Sequence, residues 1–171
     1  MSLHDDYLAQ ARHLAGKDKT RPKQASLRRA ISTSYYALFH LLTWETAKLF
    51  ASNAALNAVL NRSLNHGDMA KVSRQIISGK LPKSFNAWVA AQPVPVIVPE
   101  LDAIARTFLA LQQERHEADY NLDNRWSRQQ ALRFIARAEQ AFEDWSKIRR
   151  TDVARIFLGC FLLWDKWDKE R

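Results

Sequence analysis

Arg29, Thr33, Tyr36 and His40 recur at steps of four, three and four residues, a spacing that puts side chains on one face of an α-helix. A guanidinium binds phosphate, an imidazole moves protons near neutral pH, and an aromatic ring stacks on a base. These are the residue types an RNA site would use, although the same stripe would also serve as a solvated helix face. Arg115 is the second anomaly. Leu101, Ile104, Phe108 and Leu111 form an apolar series whose next position is 115. An arginine therefore continues a face that should be buried. A buried guanidinium needs partners, because an unpaired charge in a dry site costs several kcal/mol. Asp119, one turn further on, and then Tyr120 are the nearest candidates. Either Arg115 and Asp119 form a structural pair tying the helix end to the bundle, or the arginine is held in a cleft to grip a phosphate. His116 adjoins Arg115 but projects about 100° away around the helix, and His66 is a weaker candidate.

Other chemistries lack their signatures. The sequence has no Gly-rich phosphate loop, no His-x-x-x-His or Cys-x-x-Cys pair and no nucleophile elbow, which gives kinase, zinc-enzyme and ordinary hydrolase readings no support. No metal and no cofactor is expected. The one cysteine, Cys160, cannot form an internal disulfide and reads as a small buried hydrophobe within the apolar run 156–164.

The elements that must position these residues are helices. Gly and Pro number only 4 and 5, which favours long helices over many short strands. Ser2 with Asp5 opens a helix ending at Gly16, and a charged loop with Pro22 follows. The strongest helix spans Gln24 to about Phe50, without Gly or Pro and with an apolar stripe at Leu27, Ile31, Ser34 or Tyr35, Leu38, and Leu41 or Leu42. Leu56, Val59 and Leu60 suggest a short helix and His66-Gly67 a break, after which Asp68 caps a helix through Ile77, stopped by Gly79. Phe85 to Val89 fits one turn. The segment Pro93–Pro99 must be extended and is expected to lie across a core. Pro99 starts a helix to about Glu117, residues 119–125 form a polar loop, and Ser127 with Gln130 boxes a helix to about Arg149. A last helix runs from about Asp152 to Trp167. These elements imply an all-α, up-and-down bundle of four or five helices in a single domain, 1–171, with a bundle at about 5–149 and an appended apolar helix at about 152–167.

Formal net charge is +8 (26 Lys and Arg against 18 Asp and Glu) and the pI is near 9.9. This favours a polyanionic partner, nucleic acid above all. The basic residues are scattered: Arg12, Lys17, Lys19, Arg21, Lys23, Arg28, Arg29, Lys71, Arg74, Lys80 and Lys83. Acidic residues stand where a signal peptide would be basic, and the 156–164 run is far shorter than a membrane span. A cytoplasmic location without membrane contact is expected.

Leu27-Arg-Arg-Ala-Ile-Ser-Thr-Ser-Tyr-Tyr-Ala-Leu-Phe-His40, followed by Arg115-His-Glu-Ala-Asp-Tyr120, resembles the HEPN superfamily. It is most similar to the branch that combines an arginine, then Tyr-Tyr-Ala-x-Phe-His, with a distal Arg-x-x-Ala-Asp-Tyr motif. The resemblance covers about residues 5–149. It implies a helical bundle that usually dimerises, and either a metal-independent endoribonuclease or a partner of a small nucleotidyltransferase in toxin–antitoxin or phage-defence systems. The nuclease members place a histidine where this chain has Tyr120, Asn121 or Leu122.

Two readings follow. As a ribonuclease, Arg115 would grip phosphate with help from Arg29, His40 or His116 would act as acid or base, Asp119 would orient Arg115 or the histidine, and Tyr36 and Tyr120 would position a nucleotide. As a non-catalytic module, the chain would bind or regulate through a nucleotidyltransferase or another defence protein. The helix at 152–167, apolar nearly all round, must be buried on its own bundle or on a partner. A homodimer with Arg115 and Tyr36 near its two-fold axis is expected, because one small bundle would struggle to cover so much apolar surface.

Overall fold

A computed structural model describes residues 2–18 and 20–169; Lys19, one of the scattered basic residues, lies outside them. The described residues are all-α, with eight α-helices and no strand. They are α1 (Leu3–Gly16), α2 (Gln24–Phe50), α3 (Ala54–Ser63), α4 (His66–Ile77), α5 (Asn86–Ala90), α6 (Pro99–Tyr120), α7 (Arg128–Ile148) and α8 (Asp152–Trp167), with a 3-10 turn at Lys83–Phe85 before α5. Among the described residues no helix is long and apolar enough to cross a membrane.

The termini follow the local chemistry, with two exceptions. Ser2 Oγ accepts from Asp5 N while Ser2 N donates to Asp5 Oδ2, the reciprocal box that starts α1. Ser127 and Gln130 do the same ahead of α7. Gly79 takes a positive φ of 75° beyond α4, which only glycine adopts without strain. The expected break at His66-Gly67 is instead the start of α4. Asn65 is the cap: its side-chain oxygen accepts from Asp68 N at 2.9 Å, and its Nδ2 donates to Asp68 Oδ2 at 2.6 Å. Asp68 therefore serves one turn inside the helix, where a carboxylate favours the N-terminal dipole. The second exception is the end of α6, which continues through Asp119 and Tyr120 rather than giving way to a loop. The connector at 93–98 lies less deep than expected, with Val94 68% exposed.

The residues group into two compact units, one formed by the chain up to Leu41 with Thr107–Glu143, the other by Leu42–Arg106 with the chain from Asp144 on. The first unit carries a core of Ala11, Ala15, Leu27, Ala30, Ile31, Ala118, Trp126, Ala131 and Ile135. Five of these nine are alanines, and small side chains at the contacts let helix axes approach closely. Gln24 ties α2 to the start of α7 by a paired bond, Nε2 donating to Trp126 O and Oε1 accepting from Trp126 N. In the second unit α8 packs on α4. Val153, Phe157, Leu158, Cys160, Phe161 and Trp164 are all buried there, at about 1.5–3 kcal/mol for each large side chain. The apolar C-terminal helix thus folds back on its own chain.

Candidate functional site

The first unit holds both anomalies of the sequence. Leu101, Ile104, Phe108 and Leu111 are fully buried, and Arg115 continues their face with only 21% of its side chain exposed. Its guanidinium is engaged. Nη2 donates to the Tyr36 hydroxyl at 2.9 Å, and Nε lies 3.1 Å from Asp119 Oδ2 at ion-pair distance without an aligned hydrogen bond. The guanidinium carbon is 5.6 Å from the Tyr36 ring and 5.7 Å from the Tyr120 ring, close enough for cation–π attraction. The hydrogen bond to Tyr36, then the charge of Asp119, hold Arg115 above the usual arginine range despite partial burial. Asp119 is fixed from its other oxygen by the buried Ser32 hydroxyl, which donates to Oδ1.

The helix end that carries this cluster is set by Arg28. It donates to the carbonyls of Ala118, Leu122 and Asn124 at 2.9, 3.1 and 2.6 Å. The Ala118 carbonyl belongs to the last turn of α6, among the acceptors a helix leaves without intrahelical partners, while Leu122 and Asn124 lie just beyond the helix; a cation there also complements the dipole. Arg28 explains why α6 runs on through Asp119 and Tyr120.

Beside this cluster Arg29, Thr33, Tyr36 and His40 of α2 line one side of an open cleft of about 310 Å³, with Tyr7 and Gln10 of α1 on the other. The Tyr7 and His40 rings are parallel within 4° at 5.0 Å, and Tyr36 lies 6.2 Å from Tyr7. Among the described residues, Gln10, Arg29 and Thr33 make no side-chain hydrogen bond or ion pair, and no carboxylate lines the cleft. Arg29 also borders a shallower depression with Ala25, Arg28, Ala118, Asp119 and Tyr120.

Of the residues singled out from sequence, Arg29, Tyr36 and His40 therefore line one cleft. Arg115 and Asp119 form a cluster that reaches the cleft through the Tyr36 hydroxyl. Tyr120 is 64% exposed at the edge of the shallow depression. His116 is exposed beside it, 5.0 Å ring to ring, and is not among the cleft residues. His66 belongs to the other unit. Sequence reasoning missed Tyr7, Gln10, Ser32 and Arg28. Among the described residues no three His, Cys, Asp or Glu side chains cluster as a metal-ligand set.

No protein-family model, curated protein or solved structure matches this chain.

Proposed function

We propose that this protein is an HEPN-like RNA-binding protein that cleaves RNA without a metal ion, in a toxin–antitoxin or phage-defence role. The observation that supports it is the convergence of an uncommitted arginine, a histidine and a tyrosine hydroxyl on one cleft without carboxylates. Arg29 holds the scissile phosphate and offsets the charge that grows on it. His40 accepts the proton of the adjacent 2′-hydroxyl. The 2′-oxygen then attacks phosphorus and the bond to the 5′-oxygen breaks. Tyr36, whose oxygen already accepts from Arg115, gives its proton to the leaving oxygen and regains one from the imidazolium through solvent. The products are a 2′,3′-cyclic phosphate and a 5′-hydroxyl. Arg115 and Asp119 act as positioning residues for Tyr36.

The test is incubation with single-stranded and hairpin RNA in EDTA. Cleavage leaving cyclic phosphate ends, lost by 100-fold or more in Arg29→Ala and His40→Ala, is expected from the size of acid–base and electrostatic contributions, about 10² to 10⁴ each. No cleavage by wild type, or equal cleavage by the variants, overturns the catalytic reading.

A second reading has its own support: Arg115 is tied to Tyr36 and Asp119, and no histidine occupies 120–122. The chain would then be a non-catalytic module that binds a nucleotidyltransferase or another defence protein, and co-purification from cells expressing the neighbouring genes tests it. Under either reading a homodimer is the proposed assembly. Light scattering at micromolar concentration should give twice 19.8 kDa; a mass that stays at the monomer value on concentration counts against it.

A further inference from the structure

We infer that the cleft between α1 and α2 is a subsite for one unstacked nucleotide of a single-stranded chain, read by Tyr7 and Gln10 as well as by the α2 residues. Tyr7 belongs to the first unit with His40; the two rings stack on each other across the cleft, so each keeps one outer face for a base, and the Tyr36 ring lies beside them. Every base has a π-face, so an outer ring face accepts any base. The polar groups suit the rest of a nucleotide. Arg29 is exposed and has no ion-pair partner among the described residues, as a phosphate ligand requires. The Gln10 amide can donate and accept at once, which matches a base edge. The Thr33 hydroxyl, on a residue only 3% exposed, opens onto the same space and suits a sugar hydroxyl.

Size narrows the ligand. A volume of about 310 Å³ lies at the bottom of the small-ligand range, roughly 300–1,000 Å³. It has room for a base with its sugar and phosphate, but not for paired strands. A base inside a duplex cannot reach such a ring face without leaving its stack, so loops, bulges and single strands are the substrate class. This inference names the substrate of the same site and rests on the RNA reading only for the polymer; a free mononucleotide tests the cleft by itself.

The experiment titrates the full-length protein with adenosine 5′-monophosphate, with inorganic phosphate, and with a short single-stranded RNA and its duplex, following chemical shifts and fluorescence anisotropy. Wild type should bind the mononucleotide with shifts at Tyr7, Gln10 and His40, and should prefer the single strand to the duplex. Tyr7→Leu removes the ring but keeps an apolar side chain and should weaken the single strand about tenfold, the scale of one base–aromatic stack. Tyr7→Phe keeps the ring and should bind within twofold of wild type, which separates lost stacking from lost folding. If wild type binds or cleaves RNA but Tyr7→Leu matches it, or duplex and single strand bind equally, the subsite is wrong and the RNA-cleaving function survives. If the mononucleotide binds as described and RNA is never cleaved, the subsite stands and the catalytic reading falls. Binding of phosphate as tight as that of the mononucleotide also overturns the subsite.

Discussion

Arg115 makes its shortest polar contact with the Tyr36 hydroxyl, and that bond has a measurable consequence for stability. Hydrogen bonds to charged groups contribute about 1.5–3 kcal/mol when buried. One fifth of the Arg115 side chain is exposed, so water replaces part of the loss and Tyr36→Phe should destabilise by only about 1 kcal/mol. A lower urea midpoint at unchanged slope would register it; an unmoved midpoint would mean the bond does not persist. Arg29 behaves oppositely. It is exposed and unpaired among the described residues, so Arg29→Ala should stay within about 0.5 kcal/mol of wild type while weakening RNA binding. That split between stability and binding is what separates a ligand contact from a strut. The arginine on an apolar face and the stripe from Arg29 to His40 were legible because helical periodicity alone reveals them. Tyr7 and Ser32 were not. Tyr7 fits the apolar stripe of α1, and Ser32 looks like any helix residue until the end of α6 folds against it and brings up Asp119.

The helices themselves were the most legible level, and the misplaced boundaries have specific causes. Asn65 and Asp68 are both good caps, and sequence cannot tell which side chain turns inward; the reciprocal bond between them decides it. The end of α6 depends on Arg28, ninety residues before its first acceptor at Ala118, a contact that no local pattern encodes. The depth of α8 was legible, since a helix apolar nearly all round has no face to give to water. Its packing makes a chemical prediction. Burial pushes the Cys160 thiol up to about 12. The reactive species is the thiolate, so at pH 8 the native protein should resist a thiol reagent such as Ellman's reagent for hours. One thiol should react within minutes once urea unfolds the chain. Fast reaction without denaturant would show that α8 opens readily from α4.

At the scale of the whole molecule, the net charge of +8 pointed to a polyanion but not to a place on the surface. Lysines and arginines scattered along the chain would attract a polyanion without selecting a place, whereas the cleft has a single arginine without a partner among the described residues. The two modes differ in salt dependence. Each phosphate contact on a single strand contributes about −0.7 to the slope of log K against log salt. Binding of a short single-stranded RNA, measured from about 50 to 200 mM salt where this dependence is steep, should show a slope set by both modes. Arg29→Ala should flatten that slope by about 0.7, one contact's worth. Arg74→Ala, on the exposed side of α4 in the other unit, removes the same formal charge and should leave the slope nearly unchanged if binding is confined to the cleft. Equal flattening by the two variants would mean that RNA is held by net charge alone. The stripe on α2 would then be a solvated helix face, and the site proposed between α1 and α2 would have no phosphate to hold.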